Sequence, residues 1–202
     1  MTSRALLLLP ALVIALAAPA AASTHVVGTP GDERIVGTDG RDWIQAHGGD
    51  DRVLGVAGND LLDGGDGQDV VRGGPGNDEL HGGRGGDLVS GGLGKDSLNG
   101  DRGRDDLRGG PGNDFLADYD DGDLLLGGAG NDRAAILSED PSSRAVTRLH
   151  LGPGDDAVTV NDDHQPDIVD CGPGTDLAEW VTSLDPLDQY VGCEVVQEYL
   201  GY

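Results

Sequence analysis

A carboxylate returns at every ninth position of this chain, twelve times in succession: Glu33, then Asp42, Asp51, Asp60, Asp69, Asp78, Asp87, Asp96, Asp105, Asp114, Asp123 and Asp132. A carboxylate is a hard oxygen ligand, and two of them set side by side among backbone carbonyls make a cage for a hard divalent cation. The stretch holds no cysteine, and its histidines share no spacing, so the sulfur and nitrogen donors of a zinc site are missing. Catalytic constellations are missing too. The sequence contains no His-Glu-x-x-His and no Gly-x-Ser-x-Gly.

Carboxylates at a fixed interval act together only if the chain stacks them, and the residues between them supply the means. From residue 28 to residue 135 the chain is twelve nonapeptides without an insertion or deletion. Counting each unit from 1 to 9, the carboxylate is position 6, and position 4 is Gly in every unit but one, where it is Asp121. Position 8 is aliphatic throughout, from Ile35 to Ala134. The first six residues, rich in Gly, Asp, Asn and Pro, suit tight turns with positive φ. The last three, x-apolar-x, suit a very short strand whose middle side chain points inward. Such a strand has no core of its own, but stacked copies line up a continuous apolar ladder, which is the logic of a solenoid. Two units make a coil of 18 residues, and twelve units make about six coils, roughly 29 Å of rod at ~4.8 Å per coil.

One small aliphatic group per nine residues does not offset the entropy of ordering nine residues, glycines least of all. Stacking also lines the carboxylates into rows about 5 Å apart, where like charges repel. A cation in each row answers both deficits. With only oxygen donors on offer, Ca²⁺ fits better than Mg²⁺, which retains its waters.

The unit, written out in Gly64-Gly65-Asp66-Gly67-Gln68-Asp69-Val70-Val71-Arg72, resembles the RTX (hemolysin-type) calcium-binding nonapeptide. The resemblance covers residues 28–135 in unbroken register, with degenerate copies beyond. It implies an all-β fold, a parallel β-roll with Ca²⁺ held between turns on the same side. One row would be Asp42, Asp60, Asp78, Asp96, Asp114 and Asp132, and the other Glu33, Asp51, Asp69, Asp87, Asp105 and Asp123. Five gaps in each row of six allow up to ten ions. Glu33 is a methylene too long and stands at an end. The unit 118–126 has Gly122 at position 5 instead of 4, and the unit 46–54 lacks Gly at positions 1 and 2.

After residue 135 the register breaks. Residues 136–150 read as an insertion, with residues 139–143 as a turn and 145–151 as a candidate edge strand. Residues 151–202 read as degenerate repeats and a C-terminal cap. Leu151-Gly152-Pro153-Gly154-Asp155-Asp156 and Cys171-Gly172-Pro173-Gly174-Thr175-Asp176 restore the turn, which makes Asp156 and Asp176 weaker candidate ligands. Between them only Asp167 and Val169 keep their places. Cys171 and Cys193 are the only cysteines and are expected to form a disulfide. The stretch from Asp167 to Val196 resembles the disulfide-bearing end of Sec-exported RTX-like calcium-binding proteins of actinobacteria. Four of the seven aromatics (Trp180, Tyr190, Tyr199, Tyr202) lie in this last part, and the segment between the cysteines is expected to fold back over the solenoid end.

Residues 1–22 read as a signal peptide. Arg4 precedes an apolar stretch, and Ala20-Ala21-Ala22 suits cleavage after Ala22, with Ala20 the alternative. The expected product is secreted, with no membrane span. The net charge of −24 argues against nucleic acid and anionic membranes as partners.

The leading expectation is therefore a secreted, non-enzymatic calcium-binding protein, with Ca²⁺ its cofactor. The alternative is a carbohydrate-acting enzyme or a cell-wall or polysaccharide-binding module on a solenoid scaffold. Nothing specific in the sequence favours it. His25, His47, His81, His150 and His164 fall mostly in turns on this reading, and Arg34, Arg52 and Arg133 share position 7 on coils taken as non-adjacent. A disordered linker needs no aliphatic residue every ninth position, collagen has a period of three, and an ice-binding face needs threonine ladders where these repeats hold Thr29 and Thr38 alone. A toxin or protease of the RTX type would carry a large effector domain.

Overall fold

The structure, a computed structural model, describes residues 11–14, 23–119, 122–137, 146–160, 166–180, 187–193 and 195–198. His164, Tyr199, Tyr202, the loop residues 139–143 and most of the targeting segment lie outside them.

The chain winds into a parallel β-solenoid of two facing sheets. Among the described residues each sheet has ten strands, and no helix occurs. The first sheet runs from Ala11–Ile14 and Glu33–Val36 through Val70–Pro75 to Gln189–Val191. The second runs from His25–Val27 and Trp43–Gln45 through Glu79–Gly85 to Val195–Glu198. Successive strands alternate between sheets, so each pairs with the strand one coil away. Val71 stands opposite Val53 and Val89, each eighteen residues off. The outermost strand of the first sheet, Ala11–Ile14, falls inside the expected signal segment and pairs with Glu33–Val36.

The twelve position-8 side chains make the ladder. Ile35, Ile44, Val53, Leu62, Val71, Leu80, Val89, Leu98, Leu107, Leu116, Leu125 and Ala134 are all buried and belong to one cluster. Beyond the regular repeats the same cluster takes in Leu149, Val158, Val169 and Ala178. The solenoid therefore continues where the nonapeptide count fails. Arg148–His150, the last part of the stretch read as an insertion, is a rung. It is not an edge strand, because it pairs with Leu124–Ala129 on one side and Ile168–Asp170 on the other. Leu149 occupies the inward place of Leu125 and Val169, and that apolar contact selects the register.

The irregular lengths fall on one edge. Turns from the first sheet to the second keep six residues at 151–156 and 171–176, as at 73–78. The connections back from the second sheet, 137–147, 161–167 and 181–188, are the lengthened ones.

Cys171 and Cys193 form a disulfide with Cα atoms 5.2 Å apart. The segment between them does not simply fold back over the end. Leu177–Trp180 joins the second sheet and Gln189–Val191 the first, adding a coil whose backbone groups enter the ladder. Tyr190 packs against the core from there.

Nine of the twelve turns hold positive φ at positions 2 and 4, as at Gly65 (φ 106) and Gly67 (φ 148). Three units hold that conformation at position 2 without glycine, at His47 (φ 79), Val56 (φ 92) and Asp101 (φ 68). Val56 is β-branched and 39% exposed, so it carries strain of about 1–3 kcal/mol with little burial in return. Val56→Gly should relieve more than the ~0.4–1 kcal/mol that glycine adds in unfolded-state entropy. The variant is expected to melt roughly 2–4 °C higher in saturating calcium by scanning calorimetry. A lower melting temperature would show that the turn tolerates Val56 without strain.

Candidate metal centre

Each strand ends where its sheet turns, and the residue just before the next strand is position 6. Its side chain points into the roll, below the turn and beside the ladder. All eleven of these aspartates and Glu33 are at most 3% exposed. The structure lines them up in the two expected rows. In one, the Asp42 amide donates to Asp60 Oδ1 (2.8 Å), and the same bond links Asp60 to Asp78, Asp78 to Asp96, Asp96 to Asp114 and Asp114 to Asp132. In the other, the bonds run from Glu33 through Asp51, Asp69, Asp87 and Asp105 to Asp123, at 2.7–2.8 Å.

Those bonds use Oδ1 and leave the second oxygen. Oδ2 of Asp51, Asp60, Asp69, Asp78, Asp87, Asp96, Asp114 and Asp132 is buried with no hydrogen-bond partner. It points inside its own turn, next to a carbonyl of the following coil. A Cβ built on Gly64 would lie 2.6 Å from both Asp69 Oδ2 and the Gly82 carbonyl oxygen, and one on Gly109 would lie 2.5 Å from both Asp114 Oδ2 and the Gly127 oxygen. Position 1, Gly in ten of the twelve units, is where carboxylate and carbonyl oxygens converge.

The row ends differ. Thr38 donates its amide (2.6 Å) and its hydroxyl to Asp42, whose Oδ1 also takes the amide and hydroxyl of Thr24 at 2.6 and 2.9 Å. Thr29 donates its amide (2.9 Å) and hydroxyl (2.7 Å) to Glu33. Threonine hydroxyls thus satisfy the first carboxylate of each row, a role the sequence reading did not assign.

At the other end the first row passes beyond the nonapeptides. The Asp132 amide donates to Asp156 Oδ1 (2.7 Å) and the Asp156 amide to Asp176 Oδ1 (2.9 Å), and both new members have a buried, unpartnered Oδ2. The second row meets a different residue. Buried Thr147 follows Asp123, and its amide donates to Asp167 Oδ1 at 3.2 Å. The Asp167 amide in turn donates to Asp188 Oδ1 at 3.0 Å. Asp188 is a row member that the sequence reading left out, and Asp167 one that it kept in place without naming it a ligand. The signal for Thr147 and Asp167 was the aliphatic residue two places on, Leu149 and Val169.

Five overlapping stretches, residues 27–62, 54–89, 63–98, 81–116 and 99–134, match the RTX calcium-binding nonapeptide repeat. This chain belongs to that family. No curated protein matches it. The calcium that RTX repeats bind fits the residues present, for the rows offer buried oxygens without donors and carbonyls beside them. The RTX rows would hold it through the position-6 carboxylates and turn carbonyls of successive coils on one edge.

Among the described residues the histidines are not brought together at one place. His25, His81 and His150 lie on strands and not in turns. His81 Nδ1 is 3.3 Å from Asp101 Oδ2, and His150 Nδ1 is 3.3 Å from Asp170 Oδ2, but the two pairs are on opposite sheets. Arg34 and Arg52 are direct neighbours in the first sheet, because coils repeat every second unit, whereas Arg133 is in the second sheet.

Without metal, burial raises the carboxyls of Asp51, Asp60, Asp69, Asp78, Asp87, Asp96, Asp114, Asp132 and Asp156 above their ordinary value of 3.8, with the like charges of row neighbours adding to it at most of these sites and the backbone bond opposing it. Asp51 and Asp60 reach about 7, and Asp69, Asp87, Asp96 and Asp132 about 6. The folded metal-free roll therefore binds more protons than the unfolded chain. That stabilisation is full below pH ~3.8 and is lost as pH rises through ~6–7. In EDTA, circular dichroism should show β structure at pH 4.5 that disappears by pH 8. A β signal in EDTA that grows with pH over this range would refute the burial of the rows.

Proposed function

We propose that this protein is a secreted, non-enzymatic calcium-binding protein whose roll forms as Ca²⁺ enters the two carboxylate rows. One observation carries the reading: ten buried carboxylate oxygens, from Asp51 to Asp176, have no hydrogen-bond donor. An uncompensated buried carboxylate costs several kcal/mol, and a whole row of them in the ionised form is sustained by cations between its members. Ca²⁺ then supplies the stabilisation that a ladder of single aliphatic groups lacks, and binding to the folded form alone pulls the chain into it.

Secretion is supported by the apolar stretch behind Arg4, by the Ala20-Ala21-Ala22 junction, and by a disulfide, which persists in oxidising compartments. Extracellular calcium modules commonly work at Kd ~10⁻⁴–10⁻³ M, a level that keeps the chain unfolded inside a cell and folds it outside. The non-enzymatic reading is supported by the absence of hydrolase and metalloprotease motifs from the sequence and by the scattering of histidines over both sheets. The ten gaps between Glu33 and Asp132 allow up to ten ions in the regular repeats, with further gaps from Asp132 to Asp176.

The test is circular dichroism of the protein lacking residues 1–22, in EDTA at pH 7.5 and then in millimolar Ca²⁺. A coil that gains β signal with calcium is expected, and full β structure in EDTA would sink the proposal. Position in the row should set the size of each ligand's effect. Asp78 has row neighbours on both sides, so Asp78→Ala should raise the midpoint calcium concentration roughly tenfold, about 1.4 kcal/mol. Glu33 is an end member already held by Thr29, and Glu33→Ala should leave the midpoint nearly unchanged. Equal shifts would contradict the row assignment.

A further inference from the structure

We propose that the outer flank of the second sheet is a binding groove for a carboxylated polysaccharide. Positions 5 and 7 of each unit point outward on either side of the buried position 6. On the second sheet, position 5 reads Arg41, Asn59, Asn77, Lys95, Asn113, Asn131, and position 7 reads Trp43, Leu61, Glu79, Ser97, Phe115, Arg133. In a chain of net charge −24, these two columns hold three cations and a single acid, Glu79, whose Oε1 is 3.7 Å from His81 Nε2. The matching columns of the first sheet balance Arg34, Arg52 and Arg104 against Asp32, Asp50 and Asp106, and carry no aromatic residue.

A groove of 560 Å³ lies on this flank, walled by Lys95, Asn113, Phe115, Asn131 and Arg133, with Asp155 at its far end. Among the described residues neither Lys95 nor Arg133 makes an ion pair, although acids outnumber bases almost three to one in the chain. The asparagines form a ladder in which each Oδ1 accepts a backbone N–H of the next coil. Asn113 Oδ1 accepts the Asn131 amide at 3.0 Å, and Asn131 Oδ1 accepts the Asp155 amide at 3.2 Å, so the side-chain donors remain for a ligand. Phe115 is 39% exposed between the cations. Four coils away, roughly 19 Å along the same column, Trp43 is 45% exposed and stacks on His25 with centroids 4.4 Å apart. Trp43, Arg41 and Leu61 line a second pocket of 420 Å³ there.

The chemistry selects the ligand. The strands beneath the groove are paired on both sides, so no backbone edge is open to a peptide strand. The flank offers side-chain donors for hydroxyls, cations for carboxylates and apolar ring faces, set out in line at coil spacing. An extended, sparsely charged sugar polymer uses all three. Asp114 and Asp132 floor the groove, and their charge repels an anion until calcium neutralises the row. The inference therefore rests on the calcium reading above.

Calorimetric titration of a short oligosaccharide with one uronate per repeating unit of neutral sugars, too short to gel with calcium, into the calcium-loaded protein tests it, with loading measured by metal analysis. Binding is expected, with none for a neutral oligosaccharide of equal length. A Lys95→Gln, Arg133→Gln variant and a Phe115→Ala variant should each bind at least tenfold more weakly at unchanged calcium content. No binding by the loaded protein, or equal binding by the variants, would overturn the proposal. Tighter binding of a glycerol-phosphate oligomer would also overturn it, by assigning the groove to phosphate. Failure of the calcium reading shows separately, as folded protein without bound metal.

Discussion

The repulsion between stacked carboxylates governs this structure. A parallel coil returns each position-6 aspartate to a place about 5 Å from the last, inside the roll and away from water. The backbone spares one oxygen per residue, through the amide that donates to Oδ1 from the preceding coil. Among the described residues no donor serves the other in Asp51, Asp60, Asp69, Asp78, Asp87, Asp96, Asp114 and Asp132. The carboxyls of Asp51 and Asp60, pushed up to about 7, express the same conflict as proton affinity, since a proton or a cation relieves it. Calcium is in this sense the missing half of the core, and the aliphatic ladder is the other half.

The remainder of each unit serves that arrangement. Position 1, glycine in ten of the twelve units, is where the carboxylate and a carbonyl of the next coil converge, as at Gly64 and Gly109. Where the rows begin, threonines replace the cation with hydroxyl donors, so the first coil closes without leaving bare carboxylates at the rod's end. The two edges then diverge. Turns running from the first sheet to the second keep their length to residue 176, while the opposite edge admits longer connections and, at Thr147, loses its carboxylate. The edge that keeps its ligands is also the one beside the asparagine ladder and the exposed Phe115.

The regular repeats were legible because one period encodes turn, ligand and core together, and the rows from Glu33 to Asp132 follow from counting by eighteen. The counting failed where it relied on glycine. Residues 145–151 look like an edge strand by alternation, yet Thr147 and Leu149 hold the inward places, and packing against Leu125 and Val169 keeps the coil despite a separation of 24 residues. Asp188 was missed, and Asp167 placed without a ligand role, for the same reason, since their turns lack the glycine signature while their strands keep the ladder. The capping threonines were invisible because hydroxyl donation depends on where a side chain lies in the stacked coil and not on spacing. Arg34 and Arg52 were read as distant because two consecutive units lie on opposite sheets, which makes every second unit the true neighbour.

The central claim is that cations occupy the gaps between successive row members. A crystal structure of the protein grown with calcium, with anomalous diffraction recorded to locate the ions, tests it most directly. The account predicts two lines of anomalous peaks spaced at about 4.8 Å, each between the carboxylates of neighbouring coils such as Asp60 and Asp78 or Asp69 and Asp87. Carboxylate rows of a folded roll that held only water, with calcium elsewhere or absent, would contradict it.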